Sequence, residues 1–271
     1  MASRLLPAAM RPHVAAVYAF ARVADDMADE GSDSPEVRRV RLDTWQRRLH
    51  EAASAPSGDL DTASRDALIF AALGHTIRSF DLPVSLFDDL LSAFGQDITT
   101  TRYASWAALG DYCRRSANPV GRLVLRIAGY RDADLDRSSD ALCTALQLTN
   151  FWQDLGRDWA AGRLYVPREV EDACGADEAD MRAGRFTPAW ARVVDACVAK
   201  TVDTFADGRH VCDAVHGRLR FELRLTWLGG RRVLDRVARA RTTLLHERPT
   251  IGGADVPGLL WRAARWGGAA A

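Results

Sequence analysis

Net charge is absent from this 271-residue sequence, in which 36 lysines and arginines balance 36 aspartates and glutamates. Because an overall basic field is missing, long-range attraction to phosphate backbones is missing too, and we expect no nucleic-acid partner. No apolar run reaches the roughly 20 residues that span a bilayer, and the amino terminus has no signal-peptide pattern. These absences predict a cytoplasmic protein that makes at most a peripheral contact with the inner membrane.

Cysteine is scarce, and its spacing matches no common framework. The five cysteines, Cys113, Cys143, Cys174, Cys197 and Cys212, are widely separated and include no Cys-x-x-Cys pair. An odd number at these spacings argues against a disulfide network and against a structural zinc site. We therefore expect free thiols. The six histidines show no metal-ligand spacing either, and we assign them no catalytic part.

Strand signals are also scarce, because the apolar period is nearly always that of a helix. Long segments at 187–216 and 219–246 are rich in Ala, Arg, Leu and Val. Glycines, prolines and helix caps mark the breaks at 54–59, 80–83, 118–119, 161–167, 183–188 and 248–257. No repeat and no low-complexity linker divides the chain. The sequence predicts a single all-α domain over residues 1–271.

What the sequence does contain is a row of oxygen-bearing side chains in NFWQDLGRDWAAGRLYVP, residues 150–167. Asn150, Asp154 and Asp158 are spaced four apart and therefore share one stripe of a helix, with Cβ atoms about 5 to 6 Å apart. Trp152 and Trp159 belong to a second stripe, about 200° away, that we expect to be core. One such row alone is typical of a solvated helix face.

A second acidic row lies in YAFARVADDMADE, residues 18–30. One helix face there carries Tyr18, Arg22, Asp25 and Asp29, with Asp26 beside it. Crowded carboxylates repel by a few tenths of a kcal/mol per helical pair unless a cation lies between them. Mg²⁺ prefers oxygen ligands and typically bridges one or two carboxylates to the phosphates of a substrate. The two rows together therefore predict a magnesium-dependent diphosphate site.

Together the two motifs resemble those of the head-to-head prenyl synthases, which include squalene, phytoene and dehydrosqualene synthases. The resemblance covers nearly the whole chain. The stretches SRLLPAAMRPHVAAVYAFARVADDMADEG, DYCRRSANPVGRL and LQLTNFWQDLGRDWAAGRLYVP are most similar to the bacterial hydroxysqualene synthases of hopanoid biosynthesis. Enzymes that make presqualene diphosphate usually carry Asn-Ile-x-Arg-Asp, where this chain has Asn-Phe-Trp-Gln-Asp at 150–154.

The resemblance implies an isoprenoid-synthase-type helical bundle around a deep central cavity, with the two aspartate rows facing each other near its mouth. The implied magnesium ligands are Asp25, Asp26, Asp29, Asn150, Asp154 and Asp158. Family positions that contact the substrate correspond to Tyr18, Arg22, Asn118, Gln153, Arg163 and Tyr165. Tyr112 is a candidate for placing water or shielding a cation, and with Asp25, Asp29, Asp154 and Asp158 it completes the catalytic set. For Asn118, a simple helix break at Asn118-Pro119 remains the alternative.

The implied reaction converts presqualene diphosphate and water into hydroxysqualene and diphosphate. It needs no reductant, and the sequence has no Gly-x-Gly-x-x-Gly motif for NADPH. One alternative is synthesis of presqualene diphosphate, dehydrosqualene or phytoene from two prenyl diphosphates, because the same metal motifs serve all of these reactions. A non-catalytic lipid-binding or assembly protein on the same fold is the alternative of another class.

Both ends of the chain carry further expectations. Family members have an additional polar segment before the residues that match Leu5–Pro7, where this sequence has only four residues. At the other end, LLWRAARWGGAAA is open to two interpretations. Its leucines, tryptophans and arginines (Leu259, Leu260, Trp261, Arg262, Arg265 and Trp266) fit either a helix that rests on a membrane surface or a final helix that caps the bundle.

Overall fold

Helices make up almost all the regular structure of the computed structural model, which describes residues 5–29, 31, 33–55 and 64–267. Glu30, which adjoins the first motif, and Met1–Arg4 lie outside these residues. The longer helices are α1 Arg11–Asp29, α2 Pro35–Ser54, α3 Arg65–Phe80, α4 Val84–Asp97, α5 Trp106–Ser116, α6 Asn118–Ile127 and α7 Ala133–Gln153. They are followed by α8 Leu155–Ala160, α9 Arg168–Cys174, α10 Glu178–Arg182, α11 Pro188–Asp207, α12 Val211–Ala214, α13 Gly217–Arg239 and α14 Val256–Ala264. The all-α prediction is confirmed.

Two short strands, β1 (Arg102–Tyr103) and β2 (Leu164–Pro167), form one parallel pair that the sequence did not predict. Arg102 pairs with Leu164 and Tyr103 with Pro167. A ribbon of this length has too few alternating positions to give a strand signal. It does fix Tyr165, in the middle of β2, beside Tyr103, with 5.7 Å between their ring centroids.

By their contacts, the residues fall into two compact units, one of residues 1–100 and 114–136 and one of residues 101–113 and 137–271. In the first unit α1 packs on α2, α3 and α4. Its aromatic centre includes Phe20, stacked on Trp45 at 5.9 Å and edge-on to Phe87 at 5.6 Å. Burial of these rings anchors the inner face of α1. The single domain expected over 1–271 and its central cavity remain predictions.

The second unit contains its own core, in which Trp152 is 1% exposed. Its indole Nε1 donates to Thr201 Oγ1 of α11 at 2.8 Å, and Thr201 donates in turn to the Cys197 carbonyl. The predicted burial of Trp152 is confirmed. Trp159, expected in the same core stripe, is instead half-buried, with the Arg102 guanidinium 5.5 Å from its ring centroid.

All five cysteines lie within the described residues, and all five are thiols rather than disulfides, as expected. Burial raises the pKa of Cys113 and of Cys212 to about 12. A thiol with such a pKa stays protonated near neutral pH and is a poor nucleophile. These cysteines therefore behave as small apolar core residues.

Candidate active site

The first motif lies on the outer face of α1. Arg22 bridges two of its carboxylates, with Nη1 3.3 Å from Asp25 Oδ2 and Nη2 2.7 Å from Asp26 Oδ1. Asp29 and Tyr18 are exposed on the same helix. One arginine against three aspartates leaves this face with an excess of negative charge, which favours a cation there.

Hydrophobic burial on the opposite side of α1 presents this row outward. Ala16, Val17, Phe20, Ala24 and Ala28 are all buried, at the spacing of three and four that defines one helix face. Val23 and Met27, which are partly buried, pack against the same core. The apolar back and charged front predicted for this segment are therefore both present.

The carboxyl end of α1 is held by an arginine from the next helix. Arg38 of α2 donates to three backbone carbonyls, those of Ala28, Gly31 (2.7 Å) and Asp33 (3.2 Å). The last carbonyls of a helix lack intrahelical partners, and a cation near them also interacts favourably with the helix dipole. Arg38 therefore holds Gly31 and Asp33 beside the last turn of α1.

The sequence predicted that the second motif lies on one continuous helix, but the structure divides it between two helices. Helix α7 ends at Gln153, Asp154 has φ −95° and ψ 8°, and α8 begins at Leu155. The break is a single residue wide, because Asp154 N still donates to the Asn150 carbonyl and Asp158 N to the Asp154 carbonyl, both at 2.9 Å. Asn150, Asp154 and Asp158 therefore keep a helix-like spacing across the break.

A close approach of two backbone segments lies next to this break. A Cβ added at Gly156 would lie 2.5 Å from the carbonyl oxygen of Leu245 and 2.7 Å from that of Leu244. Only glycine admits that contact without a shift of the backbone. Residues 244–250, which we name the strap, consequently lie directly against α8.

The strap supplies a counter-ion to the second motif. The Arg248 guanidinium binds both carboxylate oxygens of Asp154, through Nε to Oδ1 and through Nη2 to Oδ2 at 3.0 Å. This hydrogen bonding raises the pKa of Arg248 above its ordinary value. The Asp154 side chain is only 15% exposed, and the Gln153 amide beside it donates to the Pro249 carbonyl. A paired fork geometry of this kind gives both orientation and strength.

Sequence reasoning missed Arg248, because it lies in a segment that was predicted to be only a break between helices. The available signal was Gly156, a glycine inside a helical pattern two residues after Asp154. A glycine allows a backbone approach that any Cβ would block. The sequence does not indicate which distant segment makes that approach.

Aromatic rings surround the residue that follows Asn150. Phe151 stacks on Tyr165 with 3.8 Å between ring centroids and 8° between planes, and Tyr112 is 6.1 Å from each of them. Tyr103 completes the cluster at 5.5 Å from Tyr112. The structure thus brings together two predicted site residues, Tyr112 and Tyr165. Faces of aromatic rings stabilise cations electrostatically.

The remaining predicted residues occupy separate places. Asn118 is buried at the first position of α6, with Pro119 next to it, so the helix break proposed for this pair is real. Arg163 follows α8, and its backbone N donates to the Asp158 carbonyl at 2.7 Å. This bond ties the Gly-Arg-Leu-Tyr segment to the last aspartate of the second motif.

Within the described ranges, no three His, Cys, Asp or Glu side chains lie close enough to form a metal centre by themselves. The donor sets are nonetheless suited to a hard cation, because both motifs offer carboxylate and amide oxygens. Mg²⁺ commonly takes only one or two protein carboxylates and completes its octahedron with water and substrate phosphates. The residues fit magnesium bound in that mode rather than in an all-protein cage.

Comparisons with known proteins agree with the motifs. The squalene/phytoene synthase family model matches residues 1–255. A hydroxysqualene synthase from Zymomonas mobilis is 41% identical over 188 residues, which cover 69% of this chain and 59% of that protein. A presqualene diphosphate synthase from Rhodopseudomonas palustris is 33% identical over 210 residues, covering 76% of this chain and 70% of that protein.

Among solved structures, the squalene synthase HpnC from Alicyclobacillus acidocaldarius is similar, with 40% identity and a TM-score of 0.79 over 88% of this chain and 86% of that one. The helical architecture is therefore that of the isoprenoid synthases. The chain belongs to the squalene/phytoene synthase family, as its two aspartate-rich motifs indicated.

Proposed function

We propose that the chain is a Mg²⁺-dependent isoprenoid synthase that converts presqualene diphosphate and water into hydroxysqualene and diphosphate. The observation that carries the proposal is the joint presence of both acidic motifs, with Asp25 and Asp29 on the outer face of α1 and Asn150, Asp154 and Asp158 on successive turns. A helical scaffold or lipid-binding protein has no need for either row. The second motif, Asn-Phe-Trp-Gln-Asp, favours the hydroxysqualene reaction within the family.

The magnesium ligands in this proposal are Asp25, Asp26 and Asp29 of the first motif and Asn150, Asp154 and Asp158 of the second. Bound magnesium neutralises the charge that develops on the departing diphosphate. Three of these ligands already have a cationic neighbour, since Arg22 pairs with Asp25 and Asp26 and Arg248 pairs with Asp154. These carboxylates must therefore share their arginines when a metal binds.

The chain's own cations and rings supply the remaining chemistry. Arg22 on α1 and Arg163, which follows α8, would supply guanidinium groups suited to phosphate oxygens. Tyr18 and Gln153 adjoin the two motifs. Breaking the carbon–oxygen bond leaves a cyclopropylcarbinyl cation, which rearranges before water captures it. The ring faces of Tyr112, Phe151 and Tyr165 would stabilise this positive charge until the capture.

The test is a product assay with purified protein, magnesium and presqualene diphosphate, without NADPH. We expect hydroxysqualene by gas chromatography and mass spectrometry, and no product when magnesium is chelated. A parallel reaction with farnesyl diphosphate alone separates the alternatives, because its conversion to presqualene diphosphate, dehydrosqualene or a related product would overturn the proposal. No product from either substrate would favour the non-catalytic alternative.

A further inference from the structure

The outward face of α14 is apolar, and it is exposed among the residues that the structure describes. Val256, Leu260 and Trp261 are 46%, 38% and 58% exposed. They supply three of the eight exposed large hydrophobic side chains among the described residues. Val256 and Leu260 are one turn apart, and Trp261 follows about 100° further round. A concentrated exposed apolar face on a short helix indicates a surface that binds something.

The inner face of α14 packs against the rest of its unit. Leu259 and Ala263 are buried against the rest of the second unit. Just beyond the helix, Trp266 lies edge-on to Trp227 at 5.4 Å, and its Nε1 donates to Asp213 Oδ1 at 2.6 Å. A final helix that packs on its own unit, one of the two interpretations of this segment, is thus present, and its outward side chains take no part in that packing.

Positive charge adjoins this apolar face. Arg262 lies on α14, Arg265 directly follows the helix, and residues 256–267 contain no acidic side chain. The Arg265 guanidinium lies 4.9 Å from the centroid of the Trp261 ring. Four further arginines, Arg209, Arg224, Arg232 and Arg236, lie instead beside Trp266 and Asp255, and three of them pair with Asp213 or Asp255. The charge of Arg262 and Arg265 complements an anionic surface.

An apolar strip with tryptophan and flanking arginines has the chemistry of an interfacial helix. Indole rings prefer the level of the lipid headgroups, and arginines near the surface are attracted by anionic lipids. The described helices include none that is long and apolar enough to cross a bilayer, so a contact of this kind lies on the surface. A protein partner would be matched by shape and hydrogen bonds, and α14 offers mainly apolar area and charge.

We propose that the outward face of α14, formed by Val256, Leu260 and Trp261 and flanked by Arg262 and Arg265, binds the surface of a bilayer that contains anionic phospholipids. The helix follows the strap closely. Arg236 of α13 donates to the Thr250 carbonyl and binds both oxygens of Asp255 at 2.8 Å. Bilayer contact would therefore occur on a segment joined through Arg248 to the second motif. The proposal does not depend on the reaction proposed above.

The experiment is flotation of the full chain with vesicles of phosphatidylcholine alone or mixed with phosphatidylglycerol. We expect the protein to float with the mixed vesicles and to remain in solution with the neutral ones. Trp261→Ser should lower the bound fraction about tenfold, because the indole loses its apolar contact. Replacing both Arg262 and Arg265 by Gln should weaken binding about fivefold for each arginine at low salt.

Leu68→Ser is the matched control, because Leu68 on α3 is 54% exposed and lies in the other unit. It should float like the unchanged protein. Failure of the unchanged protein to float at low salt would overturn the proposal, as would normal flotation of the Trp261→Ser protein. Light scattering that shows a dimer abolished by Trp261→Ser, without vesicle binding, would assign the face to a second copy instead. Flotation uses no substrate, so its outcome is separate from that of the turnover assay.

Discussion

The first aspartate-rich motif takes its counter-ion from its own helix, whereas Arg248, the hydrogen-bonded counter-ion of the second motif, lies 94 positions away in sequence. The local arginine of the second motif, Arg157, approaches Asp154 Oδ1 only to 3.9 Å. Arg22 is half exposed and pairs with Asp25 and Asp26 at i+3 and i+4. Arg248 reaches Asp154 only because the strap crosses Gly156. The same kind of side chain is thus held locally in one unit and by long-range packing in the other. Substitutions in the two motifs should therefore differ more in their effect on the free energy of unfolding than in their effect on turnover.

The largest effect expected is loss of turnover in Asp25→Asn and in Asp154→Asn. Each change removes a charge from a proposed magnesium ligand and hardly alters volume, so we expect at least about a hundredfold drop in turnover of presqualene diphosphate for both. Asp203→Asn, on an exposed position of α11, is the control and should keep full activity. Normal magnesium-dependent turnover in either motif variant would contradict the site assignment.

The Asp25→Asn and Asp154→Asn proteins should also differ in their free energy of unfolding. Asp154→Asn leaves the Arg248 guanidinium without its carboxylate in a partly buried setting, which should lower the free energy of unfolding by about 1 to 2 kcal/mol. Asp25→Asn removes one exposed contact and should change it by less than about 0.5 kcal/mol. Urea unfolding curves of the two proteins measure the difference. Equal stabilities would show that the Arg248 pair contributes no more than a surface ion pair.

Gly156→Ala, which adds a single methyl group near the site, should lower both stability and turnover. The added Cβ would lie far inside contact distance of two strap carbonyls, so either α8 or the strap must move. We expect a loss of about 1 to 3 kcal/mol in unfolding free energy together with weaker turnover, because Arg248 moves with the strap. Gly110→Ala on α5 is the control, since a Cβ there meets no atom within 4 Å. In that helix, alanine should stabilise by roughly 0.5 to 1 kcal/mol.

The sequence predicts the first motif better than the second, because only the first depends on residues that are close together in the chain. On α1 the motif, its apolar back and its arginine all lie within three turns, so helix periodicity alone recovers Tyr18, Arg22, Asp25 and Asp29 as one face. Around Asp154 the helix is interrupted at one residue, which the periodicity does not indicate. The Arg248 contact joins segments that are far apart in sequence. The Tyr103–Tyr165 pairing was hidden for the same reason, because a two-residue strand has no period.

Neighbouring residues in the second motif should separate packing from contact with the strap. Trp152→Phe removes core volume and the hydrogen bond to Thr201, which should cost about 1 to 3 kcal/mol with the product unchanged. Gln153→Ala loses only its bond to the Pro249 carbonyl and should cost about 0.5 to 1.5 kcal/mol. We expect the rate, or the balance between water capture and elimination, to change in Gln153→Ala alone. Melting curves beside product analysis decide this, and a redirected product in Trp152→Phe at an unchanged melting temperature would place the indole at the reacting end.

The smallest effect expected concerns the carboxyl end of α1. Arg38 binds backbone carbonyls there, much as Arg248 of the strap binds Asp154 in the second motif. Arg38→Gln would remove most of the donors to the carbonyls of Ala28, Gly31 and Asp33, at a cost of about 1 kcal/mol for a partly exposed side chain. Because Asp29 is the last residue of α1, looser geometry at this helix end should raise the magnesium concentration needed for half-maximal turnover while the maximal rate changes little.

Arg47→Gln is the matched control on the same helix. Arg47 is exposed, and its guanidinium donates to the Thr44 hydroxyl at 2.9 Å. Arg38→Lys should restore part of the effect by keeping one charged donor near the helix end. A magnesium titration that is identical for the Arg38→Gln, Arg47→Gln and unchanged proteins would mean that the hydrophobic back of α1 alone positions the first motif. The two motifs would then differ in kind, one placed by packing of its own helix and the other by a charged residue from a distant segment.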